Sequence, residues 1–250
     1  MKKIILGSVA ALIVFVILLV VMTPARVVTS WITDAVPGVQ MGQVTGTIWN
    51  PAIEQVQYRN LTLRNIELET SLAPLMWGNL TTGITINDPN VKLTSQASLS
   101  SGRYELTDAN IDIDTAYVIE LIRTPLEGLS GQVTGIVSNA VFNDNKITQL
   151  NGEGTWSNAV IQYPNNNLEL GDLRFKLSQM SNQGNGARVD IIDNDGVLDL
   201  KGFIEVGLDK QFNMRVHATN ELPENLKQWL TRWGRQQDDR IYLEWQGRLP

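Results

Sequence analysis

Residue types able to do chemistry are few and scattered. The one histidine, His217, lies in "MRVHATN", where Met214, Val216 and Ala218 alternate with Arg215, His217 and Thr219. A strand there puts the imidazole on its more polar face. General-base work needs that imidazole beside a serine hydroxyl and a carboxylate, and no Gly-x-Ser-x-Gly turn marks a nucleophile. A histidine-based zinc site wants more than one such ligand. The stretch "DIIDNDGVLD" has the acidic look of a calcium loop. With Asp193, Asp195 and Gly196 at its third, fifth and sixth positions, Ile191 falls first and Gly202 twelfth, so both carboxylate ends fail. "NGEGTW", at 151–156, has two glycines spaced like part of a dinucleotide loop but lacks the third and a following helix. The expectation is therefore no catalytic residue, no metal site and no cofactor, in a protein that is not an enzyme.

The elements that would carry these residues read mostly as strands. Apolar residues recur at every second position through most of the chain beyond residue 38, the period of a half-buried strand. In "NLTLRNIELETSL", Leu61 and Leu63 give way to Ile66 and Leu68 after a one-step slip near Arg64 and Asn65. Such a slip predicts a bulge or a turn between two strands. "GVLDLKGFIEVGL" and "RIYLEWQGRL" repeat the alternation, the second with Ile241, Leu243 and Trp245 on one face. Asp195-Gly196 is the strongest short hairpin signal, and residues 143–146 and 164–167 read as looser turns. Regularly spaced strands without helical crossovers predict a mainly β, antiparallel domain.

Two or three short helices accompany the strands. Residues 71–78 read as one short turn beneath the sheet. Residues 114–123 open on Asp114 as N-cap and stop before Pro125. The clearest helix spans 223–234, with Pro223 in its first turn and Gly234 as its terminating cap. Leu226, Trp229, Leu230 and Trp233 form its apolar stripe, which packs such a helix on a sheet. Trp229 and Trp233 are also the candidates for a docking surface.

Ahead of all this, residues 4–22 are free of charge and rich in Ile, Leu and Val, with Ile4, Leu6, Leu12, Phe15, Leu19 and Met22 among them. As a helix they span about 28 Å, near the thickness of a hydrocarbon core. The run is longer than a signal-peptide core, and the small-x-small cleavage pattern after it is poor. An uncleaved single-pass anchor is expected over 4–22, with a cytoplasmic tail at 1–3 carrying Lys2 and Lys3, and a linker at 23–37. The bulk, 38–250, then lies across the inner membrane, in the periplasm of a bacterium. The absence of cysteine fits that compartment without requiring it. With Lys2 and Lys3 set aside, eighteen basic residues face 26 acidic ones. That balance disfavours nucleic acid and a polybasic grip on lipid headgroups.

Five letters, GQVTG, occur twice, at 42–46 and 131–135. Alternating strands rather than a helix follow each copy, so neither is a phosphate cradle. The spacing suits two halves of one curved sheet, 38–124 and 125–250. The first copy continues into Thr47-Ile48-Trp49, then a Leu-rich strand with Leu61 and Leu63, then Pro74-Leu75 and Gly83. Together with Gly42 and Gly46, these residues resemble protein N of the bacterial type II secretion system. "LNGEGTWSNAVI", which holds Trp156, and the terminal "WQGRLP" are also similar to that family, so the likeness spans nearly the whole chain. Met76, between Pro74-Leu75 and Trp77, departs from the pattern, because in relatives this tryptophan tends to precede the proline. The resemblance implies an accessory inner-membrane component that supports export of folded proteins from the periplasm. Its partners would be other components of the system, the inner-membrane platform or the secretin, and there are no catalytic residues to carry over. The family is also similar to larger AsmA-like periplasmic proteins. That kinship implies a sheet curved into a groove or half-barrel, and a rival role in binding or transferring lipid between membranes.

Overall fold

A computed structural model describes residues 15, 20–27, 29, 33, 36–119, 127–163, 166–180, 185–222 and 224–248. Most of the expected anchor, including Ile4, Leu6, Leu12 and Leu19, lies outside the described residues, as do Pro125, Pro164, Asn165 and Pro223. Among the described residues no helix is long and apolar enough to cross a membrane. Phe15 and Met22 are described, and both are exposed.

The chain divides into two compact units, Met1–Pro89 and Asn90–Pro250. The first holds β1 (Val39–Met41), β2 (Val44–Gly46), β3 (Pro51–Tyr58), β4 (Leu61–Ser71) and β5 (Asn79–Asn87). β1 and β2 are one edge strand in a single register on β3, since Val39 pairs with Tyr58 and Val44 with Ile53. β3 pairs with β4 and β4 with β5, all antiparallel. The predicted slip in β4 is a kink within one continuous strand, where Asn65 adopts the left-handed conformation at φ 52°. The Asp88 carboxylate, itself buried, accepts the Arg64 N–H at 3.1 Å, and Asn65 Nδ2 donates to the Asn87 carbonyl. Ile53 and Ile66 face each other across the strands on the buried side of this crease. The segment after β4 is a 3-10 turn, Ala73–Trp77. It does not lie beneath a sheet, because Leu72, Leu75 and Trp77 are exposed, Trp77 to 74%. The proline and the left-handed Gly78 (φ 75°) confine it to one turn.

The second unit is an antiparallel meander: β6 (Val91–Ser100), β7 (Arg103–Asp114), β8 (Gly128–Asn143), β9 (Lys146–Tyr163), β10 (Asn166–Gln179), β11 (Gly186–Asn194), β12 (Lys201–Gly207) and β13 (Gln211–Thr219). Between β7 and β8 comes α1 (Thr115–Ile119), and its first turn is capped as expected, with Asp114 Oδ1 accepting the Ala116 N–H at 2.9 Å. After β13 the chain forms α2 (Glu224–Trp233), stopped where the Gly234 N–H reaches the Leu230 carbonyl. A last hairpin follows, of β14 (Arg235–Gln237) and β15 (Arg240–Arg248), with β15 lying on β13.

Two turns differ from expectation. Residues 143–146 form a tight two-residue hairpin, Asp144 and Asn145 both being left-handed, as a primed turn requires. Asp195-Gly196, by contrast, does not join β11 and β12 directly. The chain continues off the sheet to Leu200, and Asn194 closes this detour by accepting the Leu200 N–H. The alternation in "VLDL" is real, since Val197 is exposed while Leu198 and Leu200 are buried. It serves a loop that tucks two leucines inward rather than a strand. They join Ala159, Leu168, Leu170, Leu173, Ala218, Leu230 and Ile241 in one apolar cluster, which Leu230 enters from α2. Leu230 is the one member of the expected stripe whose side chain is described, and it packs on the sheet.

Candidate functional site

The motif after the expected anchor is an attachment point. Gly46 is left-handed (φ 81°), and a side chain there would run into the Asn50 carbonyl. Only glycine combines that backbone with that closeness. The turn it permits presents the Gly46 carbonyl to the Ala25 N–H at 3.1 Å, while the Ile48 N–H reaches the Thr23 carbonyl at 3.0 Å. A bridge between Pro24 and Thr47 lies between these two bonds. Trp49 adds a third tie, its indole N–H donating to the Val20 carbonyl at 3.2 Å, and Ala25 is buried. The Trp49 carbonyl in turn accepts the Thr70 N–H of β4 at 2.7 Å. Gly46, Thr47, Ile48 and Trp49 therefore fasten residues 20–25 to the first unit. Gly42 stands where β1 passes into β2, its N–H bonded to the Gln55 carbonyl at 2.8 Å. Pro74 sits apart from this fastening, in the exposed 3-10 turn.

The second GQVTG is used differently. It lies inside β8, and its first glycine, Gly131 (φ 109°), is the left-handed one, set against the Ser157 and Asn158 carbonyls and the Trp156 indole. Trp156 donates its indole N–H to the Ser130 carbonyl at 3.1 Å, the pairing expected of a partly buried tryptophan. A chain of short polar side chains continues this irregularity across the sheet. Asp172 Oδ1 accepts the Asn158 N–H, Asp195 Oδ1 accepts the Asp172 N–H, and Asn194 Nδ2 donates to the Leu170 and Asp172 carbonyls. The acidic run that resembles a calcium loop is thereby occupied with strand and loop amides.

His217 stands between Lys201 of β12 and Tyr242 of β15 in the strand register. Arg240 donates from Nε to His217 Nδ1 at 2.8 Å and from Nη1 to Asp199 Oδ2. Burial first, and the Arg240 charge second, hold the imidazole below its ordinary value, against a weaker opposite pull from Asp199. Asp199 is held below the usual carboxylate range chiefly by the hydrogen bond from Arg240. An imidazole whose Nδ1 already accepts from a guanidinium is a structural acceptor in this arrangement. Among the described residues, no cluster of three or more His, Asp or Glu could hold a metal ion.

Trp229 and Trp233 lie on α2, but their side chains are outside the described residues. Residues 20–25 are what sequence reasoning missed. Nothing in "VVMTPA" announces a strand-like partner, and its small residues invite comparison with a cleavage site instead.

The family model described as type II secretion system (T2SS), protein N, matches residues 37–243. No curated protein matches the chain, and no solved structure does.

Proposed function

The chain belongs to the type II secretion system protein N family and is a component of that system, and we propose that it acts there as a non-enzymatic, inner-membrane-anchored assembly element. In this reading residues 4–22 cross the inner membrane once with residues 1–3 in the cytoplasm, and the strands stand in the periplasm against the platform or the secretin. The observation that carries the reading is the fastening of residues 20–25 by Gly46, Ile48 and Trp49. A body meant to transmit position from a membrane helix needs a stiff joint where that helix ends, and three backbone-directed bonds over six residues supply one. Deleting the gene in a strain that secretes by this route is expected to abolish exoprotein release and leave exoproteins in the periplasm. Undiminished release would refute the reading.

A second reading, lipid binding or transfer, draws on apolar side chains that the strands leave exposed, such as Leu80, Tyr104 and Ile136. Native mass spectrometry of the full chain released from detergent separates the two. A stoichiometric phospholipid adduct supports lipid handling, and its absence removes that role.

A further inference from the structure

β15 is the last long strand of the second unit, followed in the strand order only by the three-residue β14, and most of its outer edge is open. On one side it pairs with β13 over its whole length, from Arg240 opposite Thr219 to Arg248 opposite Gln211. On the other, β14 covers only Arg240, Ile241 and Tyr242. The direction of the remaining backbone groups follows from one bond. The Asn220 N–H reaches the Asp239 carbonyl at 3.0 Å, so odd-numbered residues of this strand bond toward β13. Even-numbered residues therefore point outward. Among the described residues, the N–H and C=O of Glu244, Gln246 and Arg248 have no strand to meet. Residues 244–248 are all exposed. They contain no proline, lysine or bulge, and the two charges they carry, Glu244 and Arg248, are of opposite sign.

We propose that this edge pairs antiparallel with the same edge of a second copy of the chain, centred on Gln246. In that register Glu244 faces Arg248 of the second copy, Trp245 faces Gly247, and Gln246 faces itself. Opposite charges directly across antiparallel strands stabilise the pairing, and the two-fold axis supplies the charge contact twice. Glu244 is already turned toward cationic company, with Arg215 Nε at 2.8 Å on the neighbouring strand. The aromatic side is equally suited. Trp245 stands edge-on to Phe212 with ring centroids 5.9 Å apart. A Cβ at Gly247 would come within 2.7 Å of the Phe212 ring, so the residue facing Trp245 is one that only glycine fills. The outward-pointing set, Glu244, Gln246 and Arg248, maps onto itself under this two-fold. Registers centred on Trp245 or Gly247 lose the charge match, and a register centred between two residues sets outward-bonding groups opposite inward-bonding ones.

The test is sedimentation equilibrium of the full chain in detergent micelles, compared with three variants. The wild type is expected at twice its 27.8 kDa chain mass. Gln246→Pro removes an N–H that points away from β13, so the fold is retained and the mass falls to that of one chain. Glu244→Arg is expected to weaken the dimer by about tenfold or more, and Glu244→Arg with Arg248→Glu to restore it, a rescue that does not depend on the proline. Because the chain has no cysteine, Gln246→Cys under mild oxidation reads the register directly and should give a disulfide-linked dimer. Glu244→Cys alone should not, since its facing residue is Arg248. A wild-type monomer, a dimer that survives Gln246→Pro, or equal cross-linking at both cysteine positions would overturn the proposal.

Discussion

The sheet beneath α2 and the sheet of the first unit are built from the same alternating strands, but different things hold them. Beneath α2, Leu198, Leu230 and Ile241 are at most 2% exposed and lie within a contiguous apolar cluster. Among the described residues of the first unit the buried apolar ones are Ala25, Ile53 and Ile66, with the carboxylate of Asp88 buried beside Arg64. Cohesion there comes from strand pairing, a crease stabilised by side-chain-to-backbone bonds, and the fastening of residues 20–25. One region is held by burial and the other by directed hydrogen bonds. The first suits a stable scaffold and the second a defined joint.

The sharpest break of this contrast is a pair of truncations. Leu198→Ala is expected to cost about 2–5 kcal/mol, read as a lowered midpoint in urea unfolding. Ile66→Ala, on a side with fewer buried apolar neighbours, should fall at or below the low end of that range. Equal losses would erase the distinction. Next in size is Asn194→Ala. It strips the Leu170 carbonyl and the Leu200 N–H of their partner and should cost about 1–3 kcal/mol, measured by the same unfolding curve.

A smaller effect follows from the His217–Arg240–Asp199 group. Because the folded imidazole is held below its ordinary 6.5, the unfolded chain binds more protons near that pH. This stability is complete above 6.5 and is lost as pH falls from there toward the lowered folded value. Asp199 acts lower on the scale, its contribution being present above 3.8 and lost as pH falls through its own lowered value. His217→Gln is expected to remove the first slope and spare the second, seen in thermal midpoints measured across pH. Smallest of all, Trp77→Ala on the exposed 3-10 turn should change stability by no more than about 0.5 kcal/mol, despite the size of the side chain removed.

Features set by local physics were legible before the fold was known. The strand period, the Asp114 cap, the Gly234 stop and the kink at Asn65 each depend on residues close in sequence. The turns were harder. Asp195-Gly196 carries the letters of a tight hairpin, but buried positions for Leu198 and Leu200 draw the chain off the sheet, and tertiary packing overrides the turn preference. Asp144 and Asn145 reach the left-handed region without any glycine, so a two-residue hairpin looked loose. The fastening of residues 20–25 left no local trace at all. Its bonds, two between backbone groups and one from the Trp49 indole, join residues more than twenty apart, and Gly46 betrays them only through a conformation that sequence does not print. The resemblance to secretion protein N marked Gly46 and Trp49, whereas composition and periodicity gave no reason to single them out.

The joint is where fold and function meet in this account, and a secretion assay on Gly46→Val tests it most directly. The substituted chain should be produced in cells at wild-type level and compared with Gly102→Val. Gly102 is also left-handed (φ 81°) but has open space around its Cβ position. Exoprotein release is expected to fall toward that of the deletion strain with Gly46→Val and to stay near wild type with Gly102→Val. Full secretion by the Gly46→Val strain would contradict the claim that this glycine turn couples residues 20–25 to the work of the chain.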